Sequence, residues 1–241
     1  MIIDPSSGDI CLITCTRDRP LLFALCERWM RAQAWPGRAQ WIVVDDGDYP
    51  ARATCGQKYV RMPPSKGKMT LAGNLLAALP LAQAGAVLFV EDDDYYGPRY
   101  VGAMADLLRE KELVGQKCSP QYHLSEKKWR YVDNPSHSPL SMTGVAASRF
   151  ADFRAACAFC GQHNDIYIDI RLWKSNIENR HLLQGDDAPL SVGIKGAAGR
   201  QGASGDHAVR SYANADPDFK KLREWAGADS MVYENLRTYR A

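Results

Sequence analysis

Four consecutive acids, Glu91-Asp92-Asp93-Asp94, close an apolar run, Ala86-Val87-Leu88-Phe89-Val90. The run is short, continuous and rich in β-branched and aromatic residues, so it reads as a buried strand. Four carboxylates cannot extend a core, because each is costly to bury unpaired. Side by side they also repel, so something cationic should meet them. A hard divalent ion carried with a diphosphate suits such oxygen ligands, and open α/β sheets take ligands in the crevice beyond their strand ends. A solvated acidic turn is the plain alternative. A second spacing, Cys157-x-x-Cys160-x-x-His163, is of zinc type. Cys118 and His123 would complete the ligands of a structural Zn²⁺; the alternative is a helix whose cysteines pack as small apolar groups.

These residues need a scaffold, and the first half of the chain supplies alternating strands and helices. Residues 9–16 read as a strand. Asp18 and Pro20 then give an N-cap and an early helical proline, and the helix runs to about residue 33 before Trp35-Pro36-Gly37 stops it. Residues 40–44 form a second strand that ends in Asp45-Asp46-Gly47-Asp48, and 58–62 a third. A helix over 70–83 precedes the acid-tipped strand, and another follows Pro98 to about residue 112. Such alternation implies βαβ units and a mostly parallel central sheet flanked by helices.

The second half changes character. Residues 113–132 read as two strands around Ser119-Pro120, 141–147 as a strand, 150–159 and 165–176 as helices, and 217–241 as partly helical. Gly193, Gly196, Gly199, Gly202 and Gly205 fall in one segment that reads as a mobile, lid-type loop. The expected division is 1–112 and 113–241 within one domain. With 241 residues, 46% of them apolar, the chain can bury a substantial core. A formal charge of +2 neither demands nor excludes nucleic acid. No apolar stretch reaches membrane-spanning length, and the first residues lack signal-peptide character. Seven cysteines, several within apolar runs, read as mostly reduced thiols. The expectation is a cytoplasmic protein without a membrane partner.

Four segments, in order, resemble family 2 glycosyltransferases of the GT-A fold, over roughly residues 9–175. Thr16-Arg17-Asp18-Arg19-Pro20 is similar to the family's T-x-N-R-P, and Val43-Val44-Asp45-Asp46-Gly47-Asp48 to its V-D-D-G-S. Gly73-Asn74 stands where the family has R-N, and Asp92-Asp93-Asp94-Tyr95-Tyr96-Gly97-Pro98 resembles its DXD segment. The resemblance implies a GT-A, Rossmann-like α/β fold with a smaller acceptor-side region. It also implies an inverting, metal-dependent hexosyltransferase that uses a nucleotide sugar, UDP-linked on this reading.

Residue by residue, the resemblance assigns the base and ribose to Thr16, Asp45 or Asp46, Asn74 and Asp92. Mn²⁺ or Mg²⁺ falls to Asp93 first, with Glu91 and Asp94 in play, and His207 completes the set. Asp165, followed six residues later by Arg171, would be the base that deprotonates the acceptor, with Asp169 in reserve. Lys195 and Arg200 would close over the diphosphate. Gly73 replaces the family's Arg, so Lys66 or Lys68 would supply that cation, and Asn164 replaces the Glu of its Glu-Asp pair.

The acceptor stays open. Trp129, Tyr131, Tyr167 and Trp173 could form a stacking platform or simply pack. Small phage-type enzymes that glycosylate hydroxymethylated DNA bases are similar in size and character, and Lys127, Lys128 and Arg130 would be a basic patch for such a partner. Two alternatives remain. A nucleotidyltransferase would normally show a glycine-rich phosphate loop after the first strand, and Thr16–Pro20 has no glycine. A non-catalytic sugar or nucleic-acid binding module would tolerate Asp93→Asn.

Overall fold

Apolar residues at successive positions of the central strands require cover on both sheet faces, and the computed structural model shows what covers them. It describes residues 1–64, 69–184, 189–197 and 209–236. The strands are β1 (Ile2–Ile3), β2 (Ile10–Thr16), β3 (Arg38–Asp45), β4 (Lys58–Arg61), β5 (Ala86–Phe89), β6 (Tyr95–Tyr96), β7 (Leu113–Gln116), β8 (Cys118–His123), β9 (Lys128–Asp133), β10 (Gly144–Ala146), β11 (Arg180–Leu183), β12 (Ser191–Lys195) and β13 (Asn214–Ala215). The helices are α1 (Pro20–Arg31), α2 (Leu71–Ala78), α3 (Tyr100–Leu108), α4 (Phe150–His163), α5 (Ile168–Trp173), α6 (Lys220–Ala226) and α7 (Ser230–Leu236).

The large sheet has the order β1-β3-β2-β5-β10-β7-β11, and β4 shares the outer edge of β3 with β1. Its pairings are parallel except the two made by β10. Side chains alternate between the faces. Ile10 and Leu12 of β2 join Phe23 and Trp29 of α1 and Met104 of α3 on one side. Cys11 and Ile13 join Leu75 of α2, Phe153 of α4 and Leu172 of α5 on the other. This two-sided burial is why the strands read as continuous apolar runs. Leu22, Phe23, Cys26, Trp29 and Met30 are the buried apolar stripe of α1, at helical spacing.

The small sheet has the order β13-β9-β8-β12-β6. Two short connectors join it to the large one. Residues 90–94, which hold the acids, run from β5 to β6, and Lys117 alone separates β7 from β8. The acidic segment therefore lies where the sheets meet.

Several boundaries differ from expectation. The two strands expected over 113–132 are three, β7, β8 and β9: Ser119 and Pro120 lie inside β8, which forms a hairpin with β9, and the turn falls at residues 124–127, with Lys127 left-handed at φ +50°. Gly193 is in the middle of β12 rather than in a loop; Gly199, Gly202 and Gly205 lie outside the described residues. Asp18 does not cap α1: Arg19 occupies that position with no side-chain bond. The helix expected from residue 165 begins at Ile168.

Candidate active site

The first two motifs are laced together by their aspartates. Asp18, left-handed at φ +51°, accepts the Asp48 N–H at 2.8 Å and the Tyr49 N–H at 3.2 Å. A Cβ on Gly47 would come within 2.8 Å of the Asp18 backbone nitrogen, so this crossing needs glycine. Asp45 accepts the Gly47 and Ala51 N–H groups at 2.8 and 2.7 Å and the Tyr59 hydroxyl, and pairs with Arg61 at 2.9 Å. Burial and Asp45 push the Tyr59 hydroxyl up to about 12. Asp45 therefore holds its own loop together. Of the two aspartates it is Asp46, beside Arg17 at 3.5 Å, that lines the cleft.

That cleft, of about 340 Å³, opens between the large sheet, the small sheet and the α4–α5 junction. The acids form one end. Arg19 bridges two of them, with Nη2 2.5 Å from Asp92 and Nη1 2.9 Å from Asp93. Asp92 also accepts the Thr16 hydroxyl at 2.6 Å and is 1% exposed. Both its oxygens are thus directed at the chain, and no exposed oxygen remains for a ribose. Lys195 Nζ lies 3.1 Å from Asp94, which also accepts the Ile194 N–H. Glu91, Asp93 and Asp94 bring oxygens within 4.8 Å of one another, the one such trio among the described residues.

Four acids face two cations here, and their proton affinities show the strain. Burial, then Asp94, raises Glu91 from an ordinary 4.5 to about 8. Burial raises Asp92 from 3.8 to about 6 despite Arg19, and raises Asp94 despite Lys195. Burial works against charge on Arg19 and Lys195, but the acids hold both firmly protonated. An all-oxygen trio with excess negative charge fits a hard divalent cation. In the sequence Arg19 is only a motif letter, because its partners Asp92 and Asp93 lie 73 and 74 residues further on.

The facing wall carries the two candidate bases. Asn164 ends α4 in the left-handed region at φ +52°, a conformation asparagine tolerates well. This gives a physical reason for Asn where the family has Glu. Asp165 follows, half-buried; it accepts the Tyr167 N–H at 3.0 Å and sits 3.6 Å from Arg171, which lies over the Phe159 ring. Asp165, Tyr167 and Asp169 all line the cleft, as do Thr16, Asn74 and Lys195. Ser119 and Gln121 line it too, and nothing in the sequence pattern singled them out. Lys66, Lys68, Arg200 and His207 lie outside the described residues.

The remaining groups are used by the fold. Cys157 and Cys160 are buried in the core, and His163 stacks on Phe159 with Nδ1 2.8 Å from its carbonyl oxygen. His123 packs against Tyr212. The zinc-type spacing gathers no trio of ligand atoms: the two cysteines face the core, whereas His163 is exposed. Of the four aromatic residues, Trp173 is core, Trp129 and Tyr131 pack on Trp225, and Tyr167 alone is at the cleft. In the basic patch, Lys127 bonds the Pro217 carbonyl and Arg130 bonds Gln121. Two of its three cations are thus tied to the fold. No helix among the described residues is long and apolar enough to cross a membrane.

This architecture is the GT-A fold. No family model and no curated protein matches the sequence. Solved structures share its fold, and among them is TarS of S. aureus. TarS 1–349 in complex with UDP is 14% identical, with a TM-score of 0.54 over 77% of this chain and 60% of that one. The complex with UDP-GlcNAc gives 0.53 over 80% and 59%. A longer TarS structure gives 0.52, with 36% of its length covered. The chain thus spans about 60% of the TarS 1–349 structures.

Proposed function

We propose that the protein is a glycosyltransferase that moves a sugar from a nucleoside diphosphate donor, a UDP-sugar, to an acceptor hydroxyl with inversion. The observation that carries the reading is one cleft with a cation-bridged acid cluster at one end and Asp165 on the facing wall. The TarS structures with UDP and UDP-GlcNAc share the fold and make such a donor the first to test. In this reading Asp46 takes hydrogen bonds from the base or ribose, with Asn74 and Thr16 beside it. Glu91, Asp93 and Asp94 would hold Mn²⁺ or Mg²⁺, which when bound acts as a Lewis acid toward the leaving diphosphate. Lys195 gives that anion a second positive charge. Asp165 accepts the proton of the acceptor hydroxyl as the oxygen attacks the anomeric carbon and the bond to the diphosphate breaks.

Calorimetry of UDP with and without Mn²⁺, on wild type and Asp93→Asn, tests the donor site. Metal-dependent binding that disappears in Asp93→Asn supports it. UDP that fails to bind under every metal condition removes the reading. Hydroxymethylated DNA belongs in the acceptor screen, where Tyr167, exposed at the rim, is the aromatic that could stack on a base.

A further inference from the structure

The small sheet turns one face to the cleft, and that face carries polar groups the reaction above leaves unused. Along β8, alternation sends Ser119, Gln121 and His123 to one side and Pro120 and Tyr122 to the other. Tyr122 goes into the core beside Phe219, so Ser119 and Gln121 are on the cleft side, which both line. Across the parallel pairing with β12, Gly193 stands opposite Gln121 and Lys195 opposite His123.

Ser119 is 1% exposed, and no hydrogen bond reaches its Oγ from the described residues. Gln121 is 5% exposed. Its Oε1 accepts Arg130 Nε at 2.8 Å, Arg130 Nη2 at 2.6 Å and the Tyr212 hydroxyl at 3.2 Å. Three donors on one oxygen fix the amide's orientation and leave the Nε2 hydrogens to point elsewhere. Glycine at 193 leaves this side chain its place, since a Cβ there would press on Gln121 Cγ at 3.2 Å. Native interiors rarely leave a buried hydroxyl unsatisfied, so Ser119 Oγ, with the Gln121 amide donor beside it on the same cleft wall, calls for a ligand.

We propose that Ser119 Oγ and Gln121 Nε2 form the subsite that reads hydroxyls of the donor's sugar ring, an inference that rests on the glycosyltransferase reading. The chemistry selects a neutral polyol. Serine both gives and accepts a hydrogen bond, the amide gives one, and neither carries the charge a phosphate would need. The position favours the donor sugar over the acceptor, because Lys195, two residues along β12 from Gly193, reaches Asp94 in the acid cluster.

The test compares UDP with UDP-glucose, UDP-galactose and UDP-GlcNAc by calorimetry in Mn²⁺. The variants are Ser119→Ala, which removes only the hydroxyl, and Gln121→Glu, which keeps an oxygen for Arg130 and Tyr212 but loses the amide donor. For the sugar nucleotide that wild type binds best, each variant should weaken affinity about three- to tenfold, the usual effect of one neutral hydrogen bond, while UDP alone moves less than about twofold. Thermal melts of both variants check that they fold. The proposal is overturned if UDP and the sugar nucleotide weaken together, if neither weakens, if only the acceptor KM responds, or if UDP binds and no sugar nucleotide does. Absence of UDP binding in wild type instead overturns the glycosyltransferase reading, and the subsite with it.

Discussion

On the β5 side of the cleft, Asp92 and Asp94 are almost wholly buried, each within 3.1 Å of a cation; on the α5 side, Asp165 keeps a fifth of its side chain exposed, with Arg171 3.6 Å away. The difference teaches which carboxylates are built into the fold and which are left facing the cleft. Buried, bridged acids are tied to stability, because losing one charge leaves another unpaired in a medium of low dielectric. An acid at the cleft surface, loosely paired, is coupled to stability far less. The fold thus separates an electrostatic floor tied to stability from a carboxylate left accessible at the cleft.

The sharpest way to break the comparison is Asp165→Asn. Turnover should fall about 10²- to 10⁴-fold, the range for a general base. Stability should move within about 0.5 kcal/mol, as expected for a half-exposed pair. Steady-state kinetics beside urea unfolding reads both. Asp169→Asn with the larger loss of turnover would transfer the role to Asp169.

Arg19→Met does the reverse. It leaves Asp92 and Asp93 without their shared cation and should cost about 3–5 kcal/mol in urea unfolding. Adding Asp92→Asn should restore part of the loss; no restoration would mean that Arg19 acts through packing instead.

A third test is pH. Glu91 and Asp92 have folded proton affinities above their unfolded ones, so the folded state binds more protons across the intervening range. Stability is therefore highest below the unfolded values and falls as pH rises. For Asp92 the fall lies between about 3.8 and about 6, and for Glu91 between about 4.5 and about 8. Glu91→Gln should flatten the upper part in unfolding titrations followed by circular dichroism. Stability that rises from pH 6 to 8 in wild type would contradict the account.

The smallest effect belongs to Gly73→Arg. The position is exposed on α2, and nothing lies within 4 Å of an added Cβ. Replacing a helical glycine should raise stability by about 0.5–1 kcal/mol, read by thermal melting. A gain in UDP affinity in the same variant would show that this site can serve the diphosphate.

Much of this was legible in the sequence because it is local. Apolar runs gave β2, β3 and β5, and Pro20 followed by a helical stripe gave α1 within two residues. What escaped depends on contacts between distant segments. Adjacent aspartates at 45 and 46 look alike in sequence; only a loop that folds back on Asp45 tells them apart. Arg19 is one motif letter until β5 brings Asp92 and Asp93 to it. Pro120 reads as a turn signal, yet pairing with Tyr131 and the neighbouring β12 hold it in a strand. The same alternation that places Ser119 on the cleft is invisible until the strand's boundaries are known.

The single residue between β7 and β8 has a consequence for how this cleft can vary. Lys117 sets the frame in which β8 is read, and side chains change faces at every step. One residue inserted beside it, if β8 took it up by slipping one position against its neighbours, would carry Pro120 and Tyr122 to the cavity and turn Ser119 and Gln121 away. The wall's polarity is thus inherited through a spacer's length as much as through its letters. Substitution can retune it gradually, whereas an indel at this junction would rewrite it at one stroke.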